Sequence, residues 1–340
     1  LYYYSDTLLP STDKENIMIQ DPALLSPTYT KENMRATFDH VAAQTWQGIA
    51  GAIVLDTGIP GPILGVTAMT HGNEPAGLAA MRYALNAFEA GNITRGKIIL
   101  TINNLAAAQR YWNATTFEEN RASRFIDLNM NRLPHNTPDM KEGAPYEVRR
   151  VQQLLPLWRQ FDVGYDVHST SQPSEPMIVE ISAKGANLLQ SFPITTVIRN
   201  IVPVQLGVPA SAFYGTPGRV ACLEIEAGSH EDTAALTLAA TCLHNLLISL
   251  GMAEGTFETP ATPHKVYEVT GSLMFPNTSY ELTRTIPMCS PITQGEVLAT
   301  GDGPDIVAPL TGCALFAPKV PKPFSIAEEV LFYTKPMYQE

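Results

Sequence analysis

A sheet covered on both faces by helices, followed by a small all-β domain, is the fold predicted by three features of this 340-residue chain. Short apolar runs alternate with helical patterns between residues 51 and 250, the signature of a layered α/β domain. Around 254–264 the composition shifts to Thr, Pro and Gly, which reads as a linker. Beyond it lie only short strand-like runs punctuated by Gly and Pro.

Taken in order, residues 1–45 are polar and mixed, with one helical stretch over 30–45, and read as an N-terminal extension packing on the main domain. The main domain, 46–255, has strand-like runs at 51–56, 63–69, 97–103, 163–168, 177–181, 195–204 and 219–226. Helical patterns fall at 76–90, 145–160, 185–190 and 232–250. Pro75 stands where a helix favours its first residue, with Asn73 or Glu74 available as a cap. The uncharged stretch 234–252 repeats Ala235, Leu238, Ala239, Cys242, Leu243, Leu246, Leu247 and Leu250 at helical spacing before Gly251. It contains His244, Asn245 and several threonines, so it reads as a core helix and not as a membrane span. The last domain, 262–340, is expected to hold strands near 265–270, 281–286, 296–300, 305–309 and 312–317.

Composition excludes several classes of function. Charged residues are 16% of the chain, too few for charge-driven disorder, and the balance of 22 basic against 33 acidic residues leaves −11. That argues against a nucleic-acid footprint and against attraction to anionic membranes. The four cysteines, Cys222, Cys242, Cys289 and Cys313, form no CxxC pair and are expected to be reduced. No basic segment followed by an apolar one opens the chain, so the cytoplasm is the expected compartment. A leader removed before Leu1 stays open, as does assembly into a homo-oligomer.

Chemistry-bearing residues gather at strand ends. The run 63–77 stops an apolar strand and delivers His71 and, three residues on, Glu74. Ligands gather beyond the carboxyl ends of strands in open α/β sheets, and an imidazole with a carboxylate there suits a borderline metal such as zinc. Read singly, His71 is a loop histidine and Glu74 an acid at a helix N-terminus. A second strand ends in Asp166-Val-His168, where His168 offers a third ligand and Asp166, on the same face, a group to orient a ligand. A third carries Glu224 and Glu226 at i and i+2, both on one face. Either could act as general base or form a structural pair. Between the first two strands, Arg121, Arg124, Asn131 and Arg132 suggest carboxylate recognition and carbonyl polarisation, or else a solvated loop.

His71-Gly-Asn-Glu74, Arg124-Phe-Ile-Asp127 with Asn131-Arg132, Asp166-Val-His168 and Glu226-Ala-Gly228 occur in the order seen in the succinylglutamate desuccinylase/aspartoacylase family, a branch of the zinc carboxypeptidase superfamily. The chain resembles that family over about residues 50–250, and the tail resembles its small β domain through weaker motifs. The resemblance implies a three-layer αβα catalytic domain with a mixed central sheet and one Zn²⁺ per chain, held by His71, Glu74 and His168. It implies Glu226 as general base, with Glu224 in reserve, Arg124 as oxyanion stabiliser, and Asn131 with Arg132 as holders of the substrate's carboxylate.

The eight-residue spacing of Arg124 and Arg132 is that of the aspartoacylase branch and favours a small N-acyl substrate over peptides. Two departures stand out. Asn129-Met130-Asn131-Arg132 replaces the family's Asp-Leu-Asn-Arg, and Thr216 stands where aspartoacylases carry a second carboxylate-gripping arginine, with Arg219 near but out of register. An N-acetylaspartate-like substrate is therefore not expected. The expected activity is deacylation of a different small N-acyl amino acid or related amide. A metallocarboxypeptidase and a metal-binding module without turnover are the alternatives. Tyr333 is a candidate for closing the site from the β domain, and His40, His135, His230, His244 and His264 read as structural.

Overall fold

The computed structural model describes residues 29–141, 143–171, 174–216, 218–230, 232–257, 259–260, 262–317 and 329–340. The expectation for the N-terminal extension can thus be followed only from residue 29, because its first 28 residues lie outside the described ones.

The strands that organise the molecule are β1 (Ala52–Asp56), β2 (Ile63–Ala68), β3 (Lys97–Ile102), β4 (Val163–Thr170), β5 (Met177–Glu180), β6 (Thr196–Arg199), β7 (Ala221–Ser229) and β8 (Lys265–Leu273). They are followed by β9 (Ser290–Ile292), β10 (Gly312–Leu315) and β11 (Leu331–Thr334). All belong to one twelve-stranded sheet in the order β9-β10-β11-β8-β6-β5-β7-β4-β2-β3-β1, with Tyr338–Gln339 also pairing with β8. The centre β3-β2-β4-β7 is parallel. The edge strand β1 runs antiparallel to β3, and β5 runs antiparallel to β7.

Helices cover both faces. Against one lie α1 (Lys31–Ala42), α2 (Gly77–Glu89) and α6 (Thr233–Ser249), whose Phe38, Met81 and Leu247 join one large apolar core. Against the other lies α5 (Tyr146–Trp158), whose Val148, Val151 and Trp158 form a second core. The fold is therefore the expected three-layer arrangement with a mixed sheet. Cover on both faces explains why β2 and β4 are buried along nearly their whole length and not at alternate residues.

The start of α1 falls where Thr30 caps Asn33 N. Run 232–250 is α6, started by Asp232 accepting from Ala234 N. No helix among the described residues is long and apolar enough to cross a membrane. All four cysteines are free.

Local differences have physical causes. Run 195–204 stops as a strand at Arg199 because Asn200 adopts φ +62°, which a ladder cannot accommodate. Two helices escaped the sequence reading, α3 (Leu105–Asn113) and α4 (Phe117–Ala122). Both are short, yet each carries a start signal: Asn104 caps Ala107, and Thr116 with Glu119 forms a capping box. The expected cap on α2 is absent. Its cap position is Ala76 with no side-chain hydrogen bond, because Glu74 is engaged elsewhere.

The 265–270 run does more than open the tail. As β8 it pairs parallel to β6, so the central sheet continues into the C-terminal strands. A separate core of Phe275, Tyr280, Ile292 and Leu298 supports the antiparallel tail. Tyr333, on β11, packs across Gly271 of β8, where a Cβ would meet its hydroxyl at 2.0 Å.

Leu247 is fully buried where α6 meets the sheet. Leu247→Ala is expected to cost about 2–5 kcal/mol, read as a lower urea midpoint with unchanged slope.

Candidate active site

Parallel neighbours bring their carboxyl ends to one edge, and three sequence-predicted groups meet there. β2 ends at Ala68, and Met69 takes the left-handed conformation, φ +54°, while fully buried. That costly turn for a non-glycine residue swings the chain over the end of the sheet. Gly72 then passes so close to its neighbours that a Cβ would lie 2.3 Å from Ser123 O and 2.4 Å from Ala107 C. Only glycine fits, and its N–H donates to Arg124 O at 2.8 Å.

The result is a cluster around Glu74. His71 Nδ1 lies 2.8 Å from Glu74 Oε1, and His168 Nδ1 lies 2.8 Å from Oε2. Arg124 Nη1 donates to Oε1 at 2.6 Å and Ser169 N to Oε2 at 3.4 Å. His71, Glu74 and His168 are all buried, and their donor atoms fall within 4.8 Å of one another. Two imidazole nitrogens and a carboxylate turned toward one point are the N and O donors that zinc favours, and three protein ligands leave a position open. The residues present fit a metal ion.

Electrostatics agrees with a charge-dense site. Burial works against ionisation of Glu74, but His71 and Arg124 outweigh it and hold the carboxyl well below its usual range. His71 is held below the ordinary imidazole range by burial and by Arg124. Burial would lower His168 too, yet Asp166 and Glu74 raise it well above that range.

The outer nitrogens of the two histidines differ. His71 Nε2 lies 2.8 Å from Asn129 Oδ1 and 3.2 Å from Arg124 Nη2. The Asn129 amide oxygen therefore faces the His71 ring. His168 Nε2 lies 3.6 Å from Asp166 Oδ2, close enough for their charges to interact but without a hydrogen-bond partner among the described residues. Asp166 is itself held by Thr67 Oγ1 at 2.7 Å, by Thr70 Oγ1 at 3.2 Å and by the Tyr214 hydroxyl at 3.0 Å.

β4 and β7 run in register, with His168 opposite Glu226 and Asp166 opposite Glu224. The two glutamates thus share the face of the cluster but differ in environment. Ser211 Oγ donates to Glu224, whereas Glu226 Oε2 is buried with no hydrogen-bond partner among the described residues. Burial first, then the charge of Glu74, pushes Glu226 up to about 8. Burial pushes Glu224 up to about 7. Glu226 thus brings a carboxylate oxygen without a hydrogen-bond partner beside the His71–Glu74–His168 cluster.

Arg132 is drawn toward the C-terminal strands. Its Nε donates to Glu329 Oε2 at 2.7 Å, and its Nη1 donates to Asn131 O at 2.7 Å and to Gln205 Oε1 at 3.3 Å. Its guanidinium stands 5.7 Å from the ring centroid of Phe332. Nη2 keeps no hydrogen-bond partner among the described residues, and Asn131 Oδ1 is likewise buried and unpaired. Arg121, by contrast, is exposed in the last turn of α4, apart from this group. Ser169 Oγ lies 2.8 Å from His230 Nδ1, giving that histidine a structural partner at the site's margin. Sequence reasoning missed Tyr214, Asn103 and Glu147. The first two carry no motif of their own. Glu147 sits in the first turn of a helix, where an acid normally needs no further explanation.

The model of the succinylglutamate desuccinylase/aspartoacylase catalytic domain matches residues 60–242, more than half of the chain. No curated protein matches significantly. Among solved structures, succinylglutamate desuccinylase from Vibrio parahaemolyticus superposes with TM-score 0.64 at 15% identity, over 91% of this chain and 98% of that one. A succinylglutamate desuccinylase/aspartoacylase from Rhodobacter sphaeroides gives 0.59 at 16%, over 83% and 87%. Murine aminoacylase 3 gives 0.55 at 18%, over 83% and 99%. At these identities the likeness is one of fold.

The raised carboxyls have a thermodynamic consequence. Glu224 and Glu226 start from 4.5 when exposed, so the folded state binds their protons more tightly. The stability they contribute is full below that value and is lost as pH rises through about 7 and about 8. Calorimetry of the metal-free protein is expected to show a lower melting temperature at about pH 8.5 than at about pH 5, with a shallower decline in Glu224→Gln. A melting temperature that climbs steadily across that range would contradict the raised pair.

Proposed function

The chain belongs to the succinylglutamate desuccinylase/aspartoacylase family, a family of deacylases, and on that premise we propose that it is a zinc-dependent amidohydrolase cleaving the linear amide of a small N-acyl amino acid or related N-acyl amine. The observation that carries the reading is the buried His71–Glu74–His168 cluster beside a glutamate oxygen with no other engagement. The names of the solved relatives, desuccinylase and aminoacylase, accord with it.

In this reading His71, Glu74 and His168 would hold one Zn²⁺. When bound, the ion supplies Lewis acidity, polarising the amide carbonyl and making water acidic enough to attack near neutral pH. Glu226 takes the proton of the attacking water and delivers it to the departing amine nitrogen. Its Oε2, without a hydrogen-bond partner among the described residues, is free to take that proton. Arg124, anchored through Nη1 on Glu74, neutralises charge developing on the carbonyl oxygen. Asn131 and Arg132 hold the substrate's carboxylate. Arg132 is fixed through Nε and Nη1, which leaves Nη2 to meet it. Thr216 stands where the family resemblance puts a second arginine, which weighs against a second carboxylate on the substrate.

The zinc-loaded protein is expected to deacylate members of a panel of N-acyl amino acids and to leave short peptides intact. Release of C-terminal residues from the peptides, with no deacylation, would replace this reading with a metallocarboxypeptidase. Metal bound without turnover on either panel would leave a binding module. Glu226→Gln is expected to lower kcat by about 10²-fold or more at unchanged zinc content, measured by kinetics alongside elemental analysis.

A further inference from the structure

The segment that carries Arg124 and Asn129 has no ladder to hold it. Between the end of α4 at Ala122 and Arg132 the chain forms turns and bends, with no helix or strand. Three consecutive backbone N–H groups there nonetheless converge on one side chain. Ile126 N donates to Glu147 Oε1 at 2.6 Å, while Asp127 N and Leu128 N donate to Oε2 at 3.0 and 2.9 Å. A fourth donor, Asn104 Nδ2, reaches Oε1 at 3.0 Å. Glu147 is fully buried, and each of its oxygens thus receives two N–H groups. The contact is reciprocated, since Asp127 Oδ2 accepts from Tyr146 N at 2.7 Å at the start of α5. Arg124 O, just upstream, receives Gly72 N of the ligand turn.

We propose that Glu147 is a positioning residue for the reaction: by gathering the backbone of Ile126–Leu128 it sets the reach of Arg124 toward Glu74 and of Asn129 toward His71. An ionised carboxylate offers acceptors only, and every group around it is a donor. A buried acid is retained in such a place only when its lone pairs are so filled. The anchor is rigid because α5 is itself bound to the sheet, through Arg150 to the carbonyls of Ala50, Ile102 and Asn103 and through Trp158 Nε1 to Thr101. Arg124 and Asn129 flank the clamped residues by two positions and one. A shift of the backbone there is passed directly to the atoms that touch the ligands. A glutamine at 147 would turn one acceptor oxygen into a donor facing two donors. The inference rests on the deacylase reading for what Arg124 does, and on geometry alone for what holds it.

Two measurements test it together. In the wild-type holoenzyme, hydrogen exchange of the 126–128 amides is expected to be slowed about 100-fold or more relative to exposed loops, and Glu147→Gln should release these amides while β2 and β4 stay protected. Glu147→Gln is also expected to lower kcat about tenfold or more with little change in KM and unchanged zinc content. In an Arg124→Ala background it should cost clearly less than in the wild type, because the Arg124 contact is already gone and only the Asn129–His71 contact is left to lose. Glu147→Asp should restore part of the loss. Unprotected amides at 126–128 in the wild type, or a kcat loss that multiplies fully with that of Arg124→Ala, would overturn the proposal. Exchange in the wild type and in Glu147→Asp decides the matter even if Glu147→Gln fails to fold. If the wild type hydrolyses no N-acyl substrate, the deacylase reading fails while the exchange result still judges the clamp.

Discussion

A carboxylate taken out of water must be surrounded by donors or cations, and Glu74 meets that requirement at the centre of the cluster. Both its oxygens are claimed, by His71, His168, Arg124 and the Ser169 amide. Removing any one partner would leave a buried charge short of compensation, which costs far more than a surface hydrogen bond. The partners come from the turn after β2, the end of β4 and the loop before α5. Three separated segments are thereby held in one geometry, with two imidazole nitrogens aimed at the same point.

Behind that cluster the sheet carries a second polar layer. Thr101, Thr67, Asp166 and Glu224 stand opposite one another across β3, β2, β4 and β7, all buried. Such a row in a parallel sheet core is tolerated because it is cross-linked. Tyr214 OH lies 3.0 Å from both Thr67 Oγ1 and Asp166 Oδ2, and Asn103 Nδ2 donates to Tyr214 and Thr70. The layer links α5 to Asp166 through Trp158, Thr101, Asn103 and Tyr214. Side chains locked by packing and by filled hydrogen bonds hold a reacting geometry better than a loop can. The C-terminal strands join the same construction at two places, β8 against β6 and Glu329 against Arg132.

Reading the chain without its fold worked where the physics is local. Apolar runs bounded by turn residues located the parallel strands within a few residues, and unbroken helical spacing over 234–252 located α6, since periodicity reports which side of an element is buried. It faltered where local signals are short or conflicting. Thr116-x-x-Glu119 announced α4, but a six-residue helix has too little periodicity to be seen. Read on its local residues Glu74 allowed both a cap and a ligand role, and its contact with His168 from 94 residues away shows that it is turned to the cluster and not to the helix.

By itself, then, the sequence determined the layered fold and the candidate ligands, because strand-end motifs and their order are written in contiguous residues. Tertiary structure alone decided that the two glutamates of β7 differ, one bound by Ser211 and one with an oxygen unpaired. It alone turned Asn129 toward His71, tied Arg132 to Glu329 and set Glu147 beneath the arginine loop. Each of these depends on a partner distant in the chain, at a distance and angle that only the packing of the layers fixes. A hydrogen bond between such residues leaves no trace in the spacing of either.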